Sequence, residues 1–125
     1  VLAALAALDE YRRPGFYERL DALGERFYGD FQQIIDHSGV PVQLQFVGPR
    51  FGLHFGLREE VTHYRQAACA NSAMLRTFVA GCIARGVYFH LSLHHGFSAA
   101  HTEADLDRAL DAIEGAMADV RREHP

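Results

Sequence analysis

VQLQFVGPRFGLHFGL, residues Val42 to Leu57, is the stretch whose reading decides the fold. Its two halves alternate. Val42, Leu44 and Phe46 oppose Gln43 and Gln45, and Phe51, Leu53, Phe55 and Leu57 oppose Gly52, His54 and Gly56. Alternation is the mark of a half-buried strand, and the Gly48-Pro49-Arg50 turn between the runs makes an antiparallel hairpin over 40–57. The back face of the second run is nearly bare, so another surface can come close there. His54 sits on that face, where a surface histidine or a partner contact is expected.

The period changes on both sides of the hairpin. Upstream, Phe16, Leu20, Leu23, Phe27, Phe31 and Ile34 recur at three- and four-residue spacings. They predict a long helix over 16–38, broken off from its predecessor by Pro14-Gly15 and stopped by Gly39 and Pro41. VLAALAALDEYRR, residues 1–13, reads as a further helix, apolar on every side through its first turns. Such a helix has to be buried all round. With Val1 rather than methionine at its start, it reads as a cut helix whose partners lie outside this chain, or as one buried in a dimer.

Downstream, residues 58–70 read as irregular. A helix over 71–85 follows, capped by Asn71 or Ser72, with Leu75, Phe78, Val79, Cys82 and Ile83 as its stripe and Gly86 after it. Strands are expected over 87–100: VYFHLSL with Val87, Phe89, Leu91 and Leu93 inward, then FSAA as a short fourth. Thr102-Glu103-Ala104-Asp105 starts a last helix, 102–122, in the manner of a capping box, with aspartate in the place glutamate takes more often. Leu106, Leu110, Ile113, Met117 and Val120 form its apolar face. Strands interleaved with helices around one hairpin make a two-layer α+β domain, its three- to four-stranded, mainly antiparallel sheet packed with helices.

Composition narrows the function. At 125 residues, 49% apolar and 22% charged, the chain suits a single globular domain, 1–125. The net charge of -4 and scattered cations exclude the basic face a nucleic-acid binder needs. No apolar run is long enough to span a bilayer, so no membrane partner is expected. Cys69 and Cys82 form no paired motif, and reduced thiols with a cytoplasmic setting follow. All twelve cations are arginine. Chemistry that needs a lysine amine, including Schiff-base catalysis, cannot be completed by this chain alone.

HLSLHHGFSAAHT, residues 90–102, holds His90, His94, His95 and His101, half of the eight histidines. Imidazoles suit zinc, and a small metal-binding protein is one reading. Against it, adjacent His94 and His95 tend to point apart, and no carboxylate or thiol lies between Val87 and Thr102. The expectation is no metal. Ser92, Ser98 and Cys82 lie near histidines in sequence but outside any nucleophile-elbow pattern, and Cys82 falls on an apolar stripe. Gly48, Gly52 and Gly56 match no phosphate-binding fingerprint. No catalytic and no cofactor-binding residue is assigned.

The ordered segments PGFYERLDALG, VGPRFGLHFG, VTHYRQA, FVAGCIARGVYF and FSAAHTEADLD together resemble the C-terminal small domain of class III aminotransferases, closest to the glutamate-1-semialdehyde aminomutase-like branch. RGVYF followed by AHTEADLD is the most specific pair. The resemblance runs from about Val1 to Val120.

The resemblance implies part of a fold-type-I enzyme using pyridoxal 5'-phosphate (PLP). Such enzymes are homodimers with active sites between a large cofactor domain and this small domain. The cofactor lysine would stand on the missing large domain, residues 1–13 would cross between domains, and the final helix would lie outside the sheet. Many family members carry an arginine after the GVY strand that binds the substrate's α-carboxylate, and aminomutases show a Phe-Glu pair. Here the segment has no arginine and reads His94-His95. The substrate is an amino-acid-like small molecule, and transaminase and aminomutase both stay open. His94 or His95, when protonated, would face its carboxylate from the cleft edge. Solvated histidines, or histidines packed on the large domain, are the alternative. The isolated chain would be inactive. A stand-alone binding or dimerisation module derived from that domain is the reading from another class.

Overall fold

The computed structural model describes every residue except Leu93. Its elements in chain order are α1 (Leu2–Tyr11), α2 (Phe16–Ser38), β1 (Val42–Val47), β2 (Arg50–Phe55), α3 (Tyr64–Ala67), α4 (Ser72–Ala84), β3 (His95–Gly96) and α5 (Glu103–Glu123). The class is α+β, with one antiparallel sheet in the order β1-β2-β3. α2 and α4 cover its inner face, and α5 packs on both helices.

The hairpin forms in the expected register, with Leu44 opposite Leu53 and Val47 opposite Arg50. Its inner face meets α2 through rings: Phe51 lies 5.8 Å from Phe27 and 6.0 Å from Phe31. Phe31, Phe78 and Ile113 are wholly buried, and each contributes about 1.5–3 kcal/mol by leaving water. α2 ends where Gly39 takes φ +71°, a left-handed conformation that a side chain would strain.

α5 opens with the capping box: the Thr102 hydroxyl accepts from the Asp105 amide, and the Asp105 carboxylate accepts from the Thr102 amide at 2.9 Å. Asn71, rather than Ser72, caps α4.

Several expectations are corrected. Phe46 is half exposed because the turn end of the hairpin extends past the core. One face of its ring stacks on Tyr28 at 3.9 Å and the other meets water. Ile83 is also half exposed. The stripe of α4 is completed by Gly81, not Ile83, because α5 approaches at Gly81. Residues 58–70 contain the short α3, whose N-cap is His63.

Among the described residues, the strand expected over 87–93 does not form. The His90 ring nitrogen Nδ1 accepts from the Ser92 amide at 3.0 Å, and the Ser92 hydroxyl accepts from the His94 amide at 3.4 Å. These local bonds turn the chain away from a ladder. Leu91 is therefore exposed, while Phe89 keeps its inward place against Phe78 and Phe51 and Val87 stays partly buried against the core. Leu93 lies outside the described residues. FSAA makes a turn, closed by the His101 amide donating to the Ser98 carbonyl, so the sheet has three strands.

His54 is buried at 9% exposure, not on the surface. On the outer face of the sheet Gln45 ties down the chain at Val61: it accepts from the Val61 amide at 2.9 Å and donates to its carbonyl at 3.1 Å. At Gly56 it is Asn71 that comes close, its Cβ lying 3.1 Å from where a methyl would stand. No residue of α1, by contrast, is itself buried, although Tyr11 packs on Phe16 at 5.4 Å.

Candidate functional site

β3 is two residues long, yet it sets the site. Phe51 pairs with His95 and Arg50 with Gly96, so alternation sends neighbouring side chains to opposite faces. His95 turns inward at 6% exposure, its ring 5.4 Å from Phe51 and 5.1 Å from Phe89. His94 is exposed. The two adjacent histidines point apart, as sequence reasoning holds they should.

Both nevertheless border one open hollow of about 720 Å³. His90 and His101 line it too, so all four histidines of the 90–102 segment meet around a single space. Phe51, Phe89 and Phe97 give it apolar walls, while Arg50, Arg85 and Arg108 bring positive charge against the single carboxylate of Asp105.

Burial, reinforced by the positive charge of His90, His94 and Arg50, pushes His95 down to about 4, so it is neutral near pH 7. Its Nε2 is buried without a hydrogen-bond partner. Such an atom costs stability unless something fills its need. His54 is lowered in the same direction, first by burial and then by His94, and its Nδ1 is likewise unpartnered.

The other sequence candidates separate from this hollow or lose their chemistry. Among the described residues no group of three or more His, Cys, Asp or Glu is placed to hold a metal ion. Ser98 Oγ lies 3.2 Å from His101 Nδ1, but that nitrogen already accepts from the Ser98 amide at 3.1 Å. Its one lone pair is used by the turn, so the contact is not a base activating a nucleophile. Cys82 is wholly buried and its thiol is raised to about 12, which makes it a core residue.

The arginines were not singled out from the sequence. Arg50 carries the one available signal, a cation inside the hairpin turn, and pairing across β2 and β3 brings it to the histidines. Arg85 and Arg108 come from a helix end and from α5, and only packing unites them.

No family model matches the chain. Solved structures do. Over 87% of its length the chain matches an omega-transaminase from Sphaerobacter thermophilus, with a TM-score of 0.78 and 22% identity, and it covers 25% of that chain. Over 97% it matches FumI of Sphingopyxis sp. MTA144, a structure in the PLP internal aldimine form, with a TM-score of 0.76 and 22% identity, covering 27% of that chain. This is the fold of a transaminase segment. A β-phenylalanine aminotransferase from Variovorax paradoxus matches over 77% of the chain, with a TM-score of 0.69 and 21% identity, and 22% of that enzyme is covered. The chain thus spans about a quarter of the length of the structures it matches.

Proposed function

We propose that this chain is the C-terminal small domain of a PLP-dependent class III aminotransferase or aminomutase, and that it forms one wall of the substrate site. The observation that carries the reading is the match of nearly the whole chain to one quarter of transaminase chains. A cationic, aromatic-walled hollow suits an amino-acid-like substrate.

The chain's residues do not hold the cofactor by themselves. There is no lysine, and no glycine-rich turn opens onto a helix start as a phosphate cradle. PLP bound on the missing large domain would act as an electron sink for the carbon that loses its proton. The part left to this chain is to bind and orient. His94, exposed at the rim, would meet a substrate carboxylate as a hydrogen-bond donor, and neutral His95 would line the wall. Phe51 and Phe89 would shed water from the substrate's apolar portion. The enzyme would be a cytoplasmic homodimer, and the isolated chain inactive.

The test is the complete polypeptide. We expect its reading frame to continue upstream of Val1 through a domain with a lysine, and the purified protein to carry PLP and exchange an amino group with a keto acid. A start codon placed directly before Val1, or a complete polypeptide that binds no PLP, overturns the reading. Such an outcome would favour a stand-alone binding or dimerisation module, to which the exposed leucines of α1 lend some weight: Leu2 is 83% and Leu5 52% exposed.

A further inference from the structure

We propose that the free edge of β1 is a self-association surface, and that its occupant is β1 of a second copy of this chain, run antiparallel about a two-fold axis at Leu44. The proposal stands apart from the enzyme reading and needs no cofactor domain.

The edge is open. β1 stands at one end of the sheet order, with β2 on one side and no described strand on the other. The Gly56 amide donates to the Pro41 carbonyl at 2.6 Å, and in an antiparallel ladder the bonded pairs alternate. Gln43, Gln45 and Val47 therefore turn their amides and carbonyls toward β2, and Val42, Leu44 and Phe46 turn theirs to the open side. Among the described residues, no other backbone group of the chain bonds to those three. Natural edges are blunted by a charge, a proline or a bulge. β1 pairs with β2 residue for residue without a bulge, and it contains no proline. No charged residue stands anywhere from Gly39 to Pro49, in a chain that is 22% charged.

The order of the residues singles out a second copy. VQLQF, Val42 to Phe46, has nearly the same pattern read in either direction from Leu44. An antiparallel copy in that register sets Leu44 opposite the partner's Leu44, Val42 opposite the partner's Phe46, and Gln43 opposite the partner's Gln45. Apolar side chains meet on the inner face, amides meet on the outer face, and no like charges oppose each other. Every backbone group on the edge finds its counterpart. Phe46, 53% exposed in this chain, gains a cross-strand neighbour. The opposite edge of the sheet, β3, is only two residues long and offers no comparable ladder, so the assembly closes at two copies.

The Leu5→Glu, Leu8→Glu chain is the material for the test, so that α1 does not associate in place of β1. Sedimentation equilibrium over a concentration series and amide hydrogen exchange by NMR are the readouts. A single short edge makes a small interface, so the dimer should form at roughly 100 μM or above. We expect the Leu44 and Phe46 amides to exchange about tenfold more slowly as it forms. The Gln43 and Gln45 amides, bonded to β2, should exchange slowly at every concentration. Phe46→Lys should weaken the dimer about tenfold or more, since the change enters the interface twice. Phe46→Leu should keep the dimer, and Ile83→Lys, at a half-exposed position on α4, should leave it unchanged. Phe46 stacks on Tyr28, so circular dichroism checks that each variant folds. Should the lysine variant not fold, the exchange pattern of the parent chain decides alone. The proposal is overturned by a chain that stays monomeric, by a dimer whose Leu44 and Phe46 amides exchange as fast as in the monomer, or by equal losses in Phe46→Lys and Ile83→Lys. A monomer whose edge is protected only by an added extended peptide of unrelated sequence assigns β1 to another partner and overturns it as well.

Discussion

Gly81 of α4 and Ala116 of α5 touch so closely that a methyl group at position 81 would lie 3.0 Å from the Ala116 Cβ. The same methyl would also meet the Asp119 carboxylate that holds Arg85. This contact lets the two helices pack at short range and places Arg85 at the rim of the hollow. Gly81→Ala gains helix propensity of up to about 1 kcal/mol, which offsets part of the strain. Gly81→Val adds bulk without that gain, and we expect it to destabilise the chain by about 1–3 kcal/mol. Urea unfolding monitored by circular dichroism measures the loss. An unchanged midpoint for Gly81→Val would refute the close approach.

The capping box gives a second expectation. Thr102→Ala removes the hydroxyl that accepts from the Asp105 amide, at a cost of about 1 kcal/mol. Hydrogen bonds from the Thr102 backbone and hydroxyl, with Arg108 beside it, bring the Asp105 carboxyl down to about 2. A carboxyl lowered on folding stabilises above its ordinary value, 3.8, and that contribution fades as pH falls from 3.8 through about 2. Wild type should therefore lose more stability than Thr102→Ala between pH 4 and pH 2, a window thermal melts can scan.

His95 acts at higher pH. Its folded value lies near 4 against an ordinary 6.5, so between these the unfolded chain binds a proton that the folded chain refuses. Stability then rises with pH across this window, and acidification from 6.5 to 4 removes of order 3 kcal/mol. His54 shifts in the same direction. His95→Leu keeps the apolar contacts with Phe51 and Phe89 and should flatten that acid limb, leaving the part due to His54. An equally steep limb in the variant would mean that His95 does not stay neutral when folded.

The regular elements were legible because their signals are local. The stripe of α2, the alternation of the hairpin and the Thr102-Asp105 cap each follow from residues a few positions apart, and each formed. What escaped was written elsewhere. The alternation of VYFHLSL was genuine, but His90 and Ser92 bonded to nearby amides and bent the chain, so Val87 and Phe89 kept their expected side and Leu91 did not. Gln45 ties down Val61, sixteen positions away, and no periodicity encodes that contact or the burial of His54. The histidines of 90–102 were visible as a cluster. The arginines that give their hollow its charge came from a turn and two helices, and only the tertiary fold assembles them.

The two thiols should differ sharply. Cys69 is exposed, whereas Cys82 is buried with its thiol raised to about 12 by burial, despite Arg85 drawing it down. Iodoacetamide should label one site in the folded chain, at Cys69, and reach the second only in denaturant. Labelling of Cys82 in the native state at a comparable rate would show that α4 and α5 open readily.

α1 separates the two accounts of what this chain is. It buries none of its residues, and Leu2, Leu5 and Leu8 stand 83%, 52% and 46% exposed. An apolar surface of this kind is a liability unless something covers it. We expect residues 1–125, expressed alone, to self-associate in sedimentation velocity, and the double variant Leu5→Glu, Leu8→Glu to relieve this. Because neither leucine contributes to the core, the unfolding free energy should move by no more than about 0.5 kcal/mol. The form of the association carries the information. Heterogeneous particles that the variant disperses fit a domain deprived of its neighbour, since an orphaned apolar helix has no defined geometry to satisfy. A discrete dimer that the variant splits cleanly into monomers fits a self-contained module, because only a complementary surface closes at two copies. A wild-type chain that stays monomeric at high concentration would contradict both, and would mean that α1 folds back onto surface it does not cover here.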